Sequence, residues 1–391
     1  MIKLLGCLFL MRIFVYIIIF FSFFDLFSQL PIMTPLASSL GATPFITGLV
    51  VGMFSLSNMI GNITSGILTD RKGPFLILLA GLLLTSISLF LYQLAFDPLL
   101  LLFVRFIHGL HAGLIVPAAF TFVANSTAKH EKGRSVALSG AFIGMAAIIG
   151  PAFSGILASR TTEVTVLQTT GFALLILGVL AFFTLRKKAI AIPAARKRTK
   201  RPVHQLFRSR PVVKAFAGAF FLMFSQGVLA YMLPLKVDNL GSDTQMSGML
   251  LSTFGVVAVL IFILPTNRLF DRLKPINTLV FGMLTMSASM ICISFSETLS
   301  LLFIFMALYG TGFAFLFPSI NSLLIESTTE ENRGKAYGYF YAFFSIGVVA
   351  GSSITGLLEL SANGGFLFTG VLLFTATALI KFMKNTVPGG A

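Results

Sequence analysis

The feature that most constrains this chain is a series of apolar runs, each about 20 residues long. A helix of that length crosses the hydrocarbon core of a bilayer and satisfies its own backbone hydrogen bonds there. The twelve runs lie at residues 13–35, 45–68, 75–95, 99–124, 136–158, 165–185, 211–235, 245–266, 276–295, 299–325, 337–359 and 365–383. A composition of 56% hydrophobic and 10% charged residues indicates the same class. We therefore predict an all-α membrane protein with twelve transmembrane helices.

An internal repeat relates the two halves of the chain. An offset of 201 residues connects glycines, prolines and one Asp-Arg pair: Gly109 with Gly310, Pro117 with Pro318, Gly150 with Gly351, and Asp70-Arg71 with Asp271-Arg272. A constant offset of about half the chain length indicates a duplicated unit. We predict two pseudo-symmetric six-helix bundles, residues 1–185 and 211–391, joined by a basic linker at 186–210.

Basic residues are concentrated in the linker and in the loops on its side of the predicted membrane, and the formal net charge is +15. In a soluble domain this charge would indicate nucleic-acid binding, but in a membrane protein it identifies the cytoplasmic loops. We predict a monomeric cell-membrane protein with both termini and the linker in the cytoplasm. Its expected contacts are with membrane lipids, and no nucleic-acid partner is expected.

The sequence lacks the motifs of ATP-driven and hydrolytic enzymes. Around Gly334-Lys335, Thr329 and Ala336 occupy the positions at which a phosphate-binding loop needs glycine and Ser or Thr. There is also no Gly-x-Ser-x-Gly or His-Glu-x-x-His motif. We predict no enzymatic activity and no cofactor, so any work must be driven by an ion gradient or by the substrate itself.

The loop after the second apolar run reads Gly66-x-Leu68-x-Asp70-Arg71-x-Gly73. Together with the two halves and the basic linker, it resembles the major facilitator superfamily over essentially the whole chain. The resemblance implies that the glycine permits close helix approach and that Asp70 faces the N-terminus of the eleventh helix. Free N–H groups and a partial positive charge attract a carboxylate there. By symmetry Asp271, followed by Arg272, would face the fifth helix; a merely solvated turn is the alternative.

Two further motifs resemble the drug:H+ antiporter branch of that family. The fifth run contains Gly150-Pro151-Ala152-Phe153-Ser154-Gly155, which is similar to the antiporter signature and implies a gating role for Gly150, Pro151 and Gly155. The Gly-Pro pair occurs in the first half only, which favours export over import. The fourth run contains Arg105-Phe106-Ile107-His108-Gly109, similar to the Arg-x-x-Gln-Gly motif, with His108 in the glutamine position.

Asp25 is the one acid deep in a predicted helix. An arginine inside a membrane helix is costly without a partner or an aqueous cavity, and Arg105 could reach Asp25 if their helices are neighbours. We predict that Asp25, Arg105 and His108 couple transport to protons; a fixed Asp25–Arg105 ion pair is the alternative. At the repeat offset Asp25 corresponds to Gln226, which cannot carry a proton.

His111 shares a helix face with Arg105 and His108. A metal site at the two histidines would need a third ligand that the sequence does not show, so hydrogen bonding is the favoured interpretation and no metal is predicted.

These features imply a secondary transporter that exports amphipathic or apolar small molecules in exchange for protons by alternating access. The candidate lining residues of its substrate cavity are Phe24, Phe27, Gln29, His111, Met223, Gln226, Phe313 and Phe317. Two alternatives stay open: an efflux or uptake carrier of the same fold for an endogenous metabolite, sugar or siderophore, and a membrane receptor or scaffold that transports nothing.

Overall fold

The computed structural model describes residues 2–127, 132–189, 207, 209–264, 273–328 and 330–383. For residues 2–10, 132–134, 136, 137, 186–189 and 330–335 it describes the backbone only. The predicted gating residues Asp271 and Arg272, and most of the predicted linker, lie outside the described residues.

All regular structure in the described ranges is helical. The first half contains α1 (Ile2–Ser28), α2 (Met33–Ser39), α3 (Pro44–Lys72), α4 (Pro74–Leu91), α5 (Pro98–Ala112), α6 (Ile115–Ser126), α7 (Lys132–Arg160) and α8 (Glu163–Ala189). A 3-10 turn at Tyr92–Leu94 follows α4. The second half contains α9 (Arg210–Asn239), α10 (Thr244–Ile263), α11 (Pro275–Phe295), α12 (Leu299–Glu326), α13 (Glu330–Leu357) and α14 (Ala362–Phe382).

Twelve helical segments of the described chain are long and apolar enough to cross a membrane, and each overlaps one predicted run. Helix starts follow local chemistry. Proline opens α3, α4, α5 and α11, where its missing N–H is no loss. Asp97 caps α5 by accepting hydrogen bonds from Leu99 N at 2.9 Å and Leu100 N at 3.0 Å. The predicted fold class, an all-α protein of twelve membrane helices, is confirmed.

Two predicted helices are broken in the structure. The run at 13–35 divides between α1 and α2 at a turn containing Pro31, which has no N–H for the Phe27 carbonyl; Leu30 N donates to that carbonyl instead, at 3.3 Å. The run at 99–124 divides between α5 and α6 at Gly113, whose carbonyl would need the N–H that Pro117 lacks. The run at 13–35 is therefore longer than its membrane helix, which ends at Ser28, whereas the run at 99–124 lies within one span, Pro98–Ser126, that is interrupted at Gly113.

The structure divides into two compact units: Met1–Ala42 with Met53–Lys197, and Thr43–Gly52 with Arg198–Ala391. Within each unit the helices pack in the same pattern. In the first unit α1 packs on α7 and α4 packs on α8; in the second, α9 packs on α13 and α11 packs on α14. This shared pattern is the structural counterpart of the sequence repeat.

Equivalent contacts recur at atomic detail in the two units. Ser86 Oγ donates to Gly171 O at 2.8 Å, and Ser287 Oγ donates to Gly370 O at 2.7 Å. Gly150 lets α7 approach the α1 backbone, because a Cβ there would lie 3.2 Å from Ser28 N. Small residues at such crossings are typical of membrane helix packing, where van der Waals contact replaces the hydrophobic effect.

The repeat offset changes along the chain. Gly41 and Gly241, with φ of 78° and 73°, end the corresponding helices 200 residues apart. Asp97 and Thr298 cap α5 and α12 at an offset of 201. The first span of each half therefore aligns at 200 and the third and fourth spans align at 201, so the counterpart of Asp25 is Ser225. The sequence-based pairing of Asp25 with Gln226 is wrong by one residue.

We expect Gly282→Ala to destabilise the protein and Gly140→Ala to leave it unchanged or slightly stabilised. A Cβ at Gly282 would lie 2.7 Å from Leu316 N, whereas one at Gly140 would meet nothing within 4 Å. Overpacking costs about 1–3 kcal/mol, and alanine recovers up to about 1 kcal/mol of helix propensity. Thermal denaturation of both variants in detergent measures the difference; equal melting temperatures would contradict the crossing at Gly282.

Candidate functional site

Asp25 lies in the last turn of α1 with only 1% of its surface exposed. Its carboxylate contacts two side chains: Gln29 Nε2 donates to Oδ1 at 2.9 Å, and His108 Nε2 lies 3.0 Å from Oδ2. The backbone carbonyl of Asp25 accepts from Ser28 Oγ at 3.0 Å and from Gln29 Nε2 at 2.8 Å. Because α1 ends at Ser28, the side chains of Ser28 and Gln29 lie close enough to Asp25 to donate hydrogen bonds to it.

The Gln29 amide bridges Asp25 and Arg105. Its Nε2 donates to the carboxylate, and its Oε1 accepts a hydrogen bond from Arg105 Nη1. Because a guanidinium has donors only, Gln29 must present its oxygen to Arg105 and its nitrogen to Asp25, which fixes the amide orientation. Gln29, predicted as a cavity-lining residue, is 2% exposed and belongs to the charged cluster instead.

His108 lies between an acid and a phenol and is completely buried. Its Nε2 contacts Asp25, and its Nδ1 lies 3.0 Å from the Tyr92 hydroxyl. Tyr92 also interacts with the Arg105 guanidinium. Sequence reasoning missed Tyr92, although its place near the C-terminal end of an apolar run, level with His108 across one loop, was a signal that could have identified it.

An aromatic ring closes one side of the cluster. The Arg105 guanidinium carbon lies 5.1 Å from the centre of the Phe54 ring, a cation–π distance. The edge-to-face contact between Phe54 and His108 has a centroid distance of 5.0 Å. We refer to Asp25, Gln29, Tyr92, Arg105 and His108 below as the charged cluster.

The charge balance of the charged cluster determines its chemistry. With an ionised Asp25, a neutral His108 and a permanently charged Arg105, the net charge is zero. Binding of one proton at Asp25 or His108 makes the cluster cationic in a site from which water is largely excluded. Such a change is costly unless the site opens to water or another charge leaves, so proton occupancy depends on what surrounds the cluster.

The second unit has an uncharged counterpart. Tyr309 occupies the position of His108, and its hydroxyl lies 2.8 Å from Ser225 Oγ. Ser225 in turn occupies the position of Asp25 and donates to Leu222 O at 2.7 Å. A hydroxyl pair therefore replaces the acid–imidazole pair, and no titration near neutral pH is available at this position.

The remaining predicted lining residues differ in exposure. Phe24, against Phe153 at 5.3 Å, and Met223 are almost completely buried in helix contacts. Five side chains are half-exposed: Phe27, His111, Gln226, Phe313 and Phe317. The rings of the last two stack at 5.9 Å with an interplanar angle of 2°. The half-exposed side chains keep surface available for a ligand; the two buried ones offer almost none.

The predicted gating residues of the first unit lie at the ends and crossings of helices. Asp70 and Arg71 are exposed in the last turns of α3, and Gly73 has a positive φ of 82° that suits glycine. No described atom lies within 4 Å of a Cβ at Gly66, so the close approach expected there stays a prediction. Pro151 and Gly155 are buried within α7.

Within the described ranges, no group of three His, Cys, Asp or Glu side chains is arranged to hold a metal ion. Both ring nitrogens of His108 contact protein groups, and His111 Nδ1 lies 2.7 Å from Ser88 Oγ. The two histidines are thus in hydrogen-bonded positions.

We expect Tyr92→Phe to destabilise the protein more than Tyr309→Phe. Removing the Tyr92 hydroxyl leaves the buried His108 Nδ1 without this contact, at a cost of about 1–3 kcal/mol. Ser225 keeps its bond to Leu222 O in Tyr309→Phe, so the expected cost is about 0.5–1.5 kcal/mol. Melting temperatures in detergent test the order; a larger loss for Tyr309→Phe would argue against a structural bond between Tyr92 and His108.

Comparison with known proteins identifies the family. The model of the Major Facilitator Superfamily matches residues 15–236 and 215–390. Multidrug resistance protein MdtG of Klebsiella pneumoniae (strain 342) is 28% identical over 340 residues, covering 84% of this chain and 82% of the relative. MdtG of Salmonella typhimurium is 28% identical over 342 residues, covering 84% and 83%.

Solved structures share the fold at low sequence identity. A bacterial homolog to the human lysosomal transporter Spinster has a TM-score of 0.79 and 14% identity, covering 96% of each chain. A POT family transporter in complex with 5-aminolevulinic acid has a TM-score of 0.80 and 12% identity, covering 95% of each chain. With its family match over nearly the whole length and its twelve apolar helices, this chain belongs to the Major Facilitator Superfamily and is a multi-pass membrane transporter.

Proposed function

We propose that this transporter exports amphipathic or apolar small molecules in exchange for protons, and that the charged cluster is its proton-exchange site. The observation that carries the proposal is the buried contact of Asp25 with His108, balanced by Arg105 through Gln29. Ionisable side chains within a membrane are expensive, and they mark proton relays and substrate pathways. A site that holds an acid, an imidazole and a guanidinium together suits proton exchange better than passive support.

Exchange follows from the charge balance. When the site faces the side of higher proton concentration, Asp25 or His108 takes up a proton and the cluster becomes cationic. A cationic amphipathic substrate competes with that proton, because both are attracted to the Asp25 carboxylate. Binding of one therefore favours release of the other, and alternating access between the two halves converts this competition into antiport.

Proton exchange is assigned to the first unit only. Asp25 and Arg105 have Ser225 and the buried Met306 as counterparts, neither of which titrates near neutral pH. The half-exposed Phe313 and Phe317 of the second unit suit contact with the apolar part of a substrate. The first unit thus binds the proton, and the second unit binds the apolar part of the substrate.

Drug-like substrates and the outward direction rest on the relatives and on one motif. The 28% identical relatives are named multidrug resistance proteins. The Gly150-Pro151 pair, which resembles the antiporter signature, has no proline in its second-half counterpart, Gly351-Ser352. Both features support export over import.

The remaining predictions complete the proposal. Both termini and the basic linker at 186–210 lie in the cytoplasm between bundles at 1–185 and 211–391, and the protein works as a monomer embedded in lipid. Asp70 acts in gating. It lies in the last turns of α3, where the helix dipole makes a carboxylate unfavourable, so its position is explained by a partner outside its own helix.

We expect Asp25→Asn to fold and bind substrate but to lose proton-driven transport, because the amide keeps the shape of the carboxylate and cannot exchange a proton. The measurement is pH-gradient-driven transport by purified protein in proteoliposomes, with a panel of lipophilic cations and uncharged aromatic dyes. Asp238→Asn is the matched control, since Asp238 is exposed near the end of α9.

Retained uphill transport in Asp25→Asn would remove Asp25 from the coupling site. A wild-type protein that moves no panel member against its gradient would argue for the metabolite carrier instead. Substrate accumulation inside right-side-out vesicles under an inward proton gradient would identify an importer.

We expect Asp70→Asn to shift the population of the cytoplasmic gate. The lost interaction with a helix N-terminus is worth about 0.3–2 kcal/mol, which changes a two-state population several-fold without unfolding the protein. Spin labels near Lys72 and Lys335 measure the gate distance, and Asp70→Asn should enlarge the fraction with the longer separation. Asp271→Asn is the comparison and should act more weakly, because Asn267 stands where the first half has Gly66. Identical distance distributions in wild type and both variants would mean that the loop is only a turn.

A further inference from the structure

A stripe of residues on α4 faces α5, which carries both histidines, and the start of α6. Gly81, Thr85, Ser88 and Tyr92 follow one another at steps of four, three and four residues, which puts them on one side of the helix and its 3-10 extension. The Tyr92 hydroxyl contacts His108 Nδ1 at 3.0 Å, and Ser88 Oγ contacts His111 Nδ1 at 2.7 Å.

The stripe continues further along α4. A Cβ at Gly81 would lie 2.9 Å from the side chain of Ile115 and 3.1 Å from that of Leu114. Thr85 lies on the same side of α4, between Gly81 and Ser88. It is fully buried, and its hydroxyl has no hydrogen-bond partner within the described part of the chain.

We propose that His111 is a second station for the transported proton and that the interface of α4 with α5 is the route by which the proton leaves the charged cluster. This proposal rests on the proposed function and adds to it the residues of the proton path. His108 is completely buried, whereas His111, one turn further along α5, is half-exposed. The pair therefore leads from a fully enclosed side chain to one with exposed surface.

Hydrogen bonding assigns the tautomer of His111. The single hydrogen of the Ser88 hydroxyl is directed to Leu84 O at 2.9 Å. Ser88 Oγ therefore accepts from His111, whose Nδ1 carries the hydrogen and whose Nε2 keeps the lone pair. A neutral imidazole in this state accepts a proton at Nε2.

The transfer is balanced in each step. Protonated Asp25 gives its proton to His108, leaving a carboxylate and an imidazolium. The imidazolium gives its Nδ1 proton to the Tyr92 hydroxyl while that hydroxyl gives its own proton to a water molecule, which passes one on to His111 Nε2. His108 becomes neutral again, and Tyr92 and the water are unchanged. His111 then releases one proton to solvent and returns to its starting state.

The charges around the two histidines favour this direction. On α5 itself the neighbouring ionisable groups are Arg105 and His108; α1 contributes Asp25, and the 3-10 turn contributes Tyr92. From α3, Phe54 and the neutral Asn58, which donates to Gly109 O at 3.4 Å, lie against α5. A positive charge on His108 opposes one on His111, so the two rings are not charged together and a proton arriving at the first promotes release from the second.

The second unit provides the matched control. At the offset of 201, Met286 replaces Thr85, Ile293 replaces Tyr92 and Gly312 replaces His111. Ser289, the counterpart of Ser88, donates to Phe305 O at 2.6 Å. A hydroxyl is thus retained in the second unit without the histidine route, and Ser289→Ala serves as the control for Ser88→Ala.

The experiment compares His111→Gln with wild type in proteoliposomes, using the dye that wild type transports fastest in the proton-gradient assay; ethidium is tried first. Glutamine still donates to Ser88 but carries no proton. We expect pH-gradient-driven transport to slow about tenfold or more, with a changed pH profile, while substrate counterflow without a gradient changes less than about twofold. Ser88→Ala and Thr85→Val should show smaller losses of the same kind, and Ser289→Ala should show none.

Equal losses of counterflow and gradient-driven transport in His111→Gln, or no loss of either, would overturn the proposal. If Asp25→Asn retains uphill transport, the proposed function itself fails; if only His111→Gln retains it, the relay alone fails.

A second measurement needs no substrate. In ¹⁵N-histidine NMR spectra recorded from about pH 5 to pH 9, His111 should titrate, and His108→Gln should change that titration because it removes the neighbouring ring. A His111 signal that does not change over this range, or that is indifferent to His108→Gln, would equally overturn the proposal.

Discussion

Arg105 carries a charge that cannot be titrated away, and it is 3% exposed within a membrane helix. Two features of the first unit hold this charge. Gln29 connects it to the Asp25 carboxylate, and the Phe54 ring offers its negative face. Breaking a buried charge pair by removing one partner costs several kcal/mol, about 3–5 in soluble proteins. The position of Asp25, the end of α1 and the contact with α3 are therefore linked through one guanidinium.

The scaffold that holds this charge is duplicated, but the charge is not. Equivalent serine–glycine bonds and helix pairs recur in both units, so packing alone does not distinguish them. The difference lies in polar chemistry: Tyr309 and Ser225 satisfy each other without any charge. At this position only the first unit carries ionisable side chains, which agrees with the division of tasks proposed for the two units.

The sequence was sufficient for the helices because a bilayer leaves little choice: a run of about 20 apolar residues must close its own hydrogen bonds. Because charge in such runs is rare, the sequence also singled out Asp25, Arg105 and His108, which the structure brings together. The sequence did not identify Tyr92 as part of the charged cluster. Tyrosines near a membrane boundary are common, and nothing in the sequence indicates which residue one of them contacts. The pairing of Asp25 with Gln226 was wrong because one additional residue between Phe254 and Pro275 shifts the register of the repeat, and a constant offset cannot show where such a residue lies.

The helix breaks show why proline alone was not a sufficient predictor. Pro117 and Pro318 are equivalent, yet α5 and α6 separate at Gly113 whereas α12 runs unbroken past Pro318. In the second half Ala314 stands where the first has Gly113, and alanine favours a helical backbone by about 1 kcal/mol relative to glycine. Beside the break, Ser65 of α3 donates to the Leu114 carbonyl at 2.8 Å and so connects α3 to the interrupted segment. The proline thus interrupts its helix where the residue four positions before it is glycine and leaves the helix continuous where that residue is alanine.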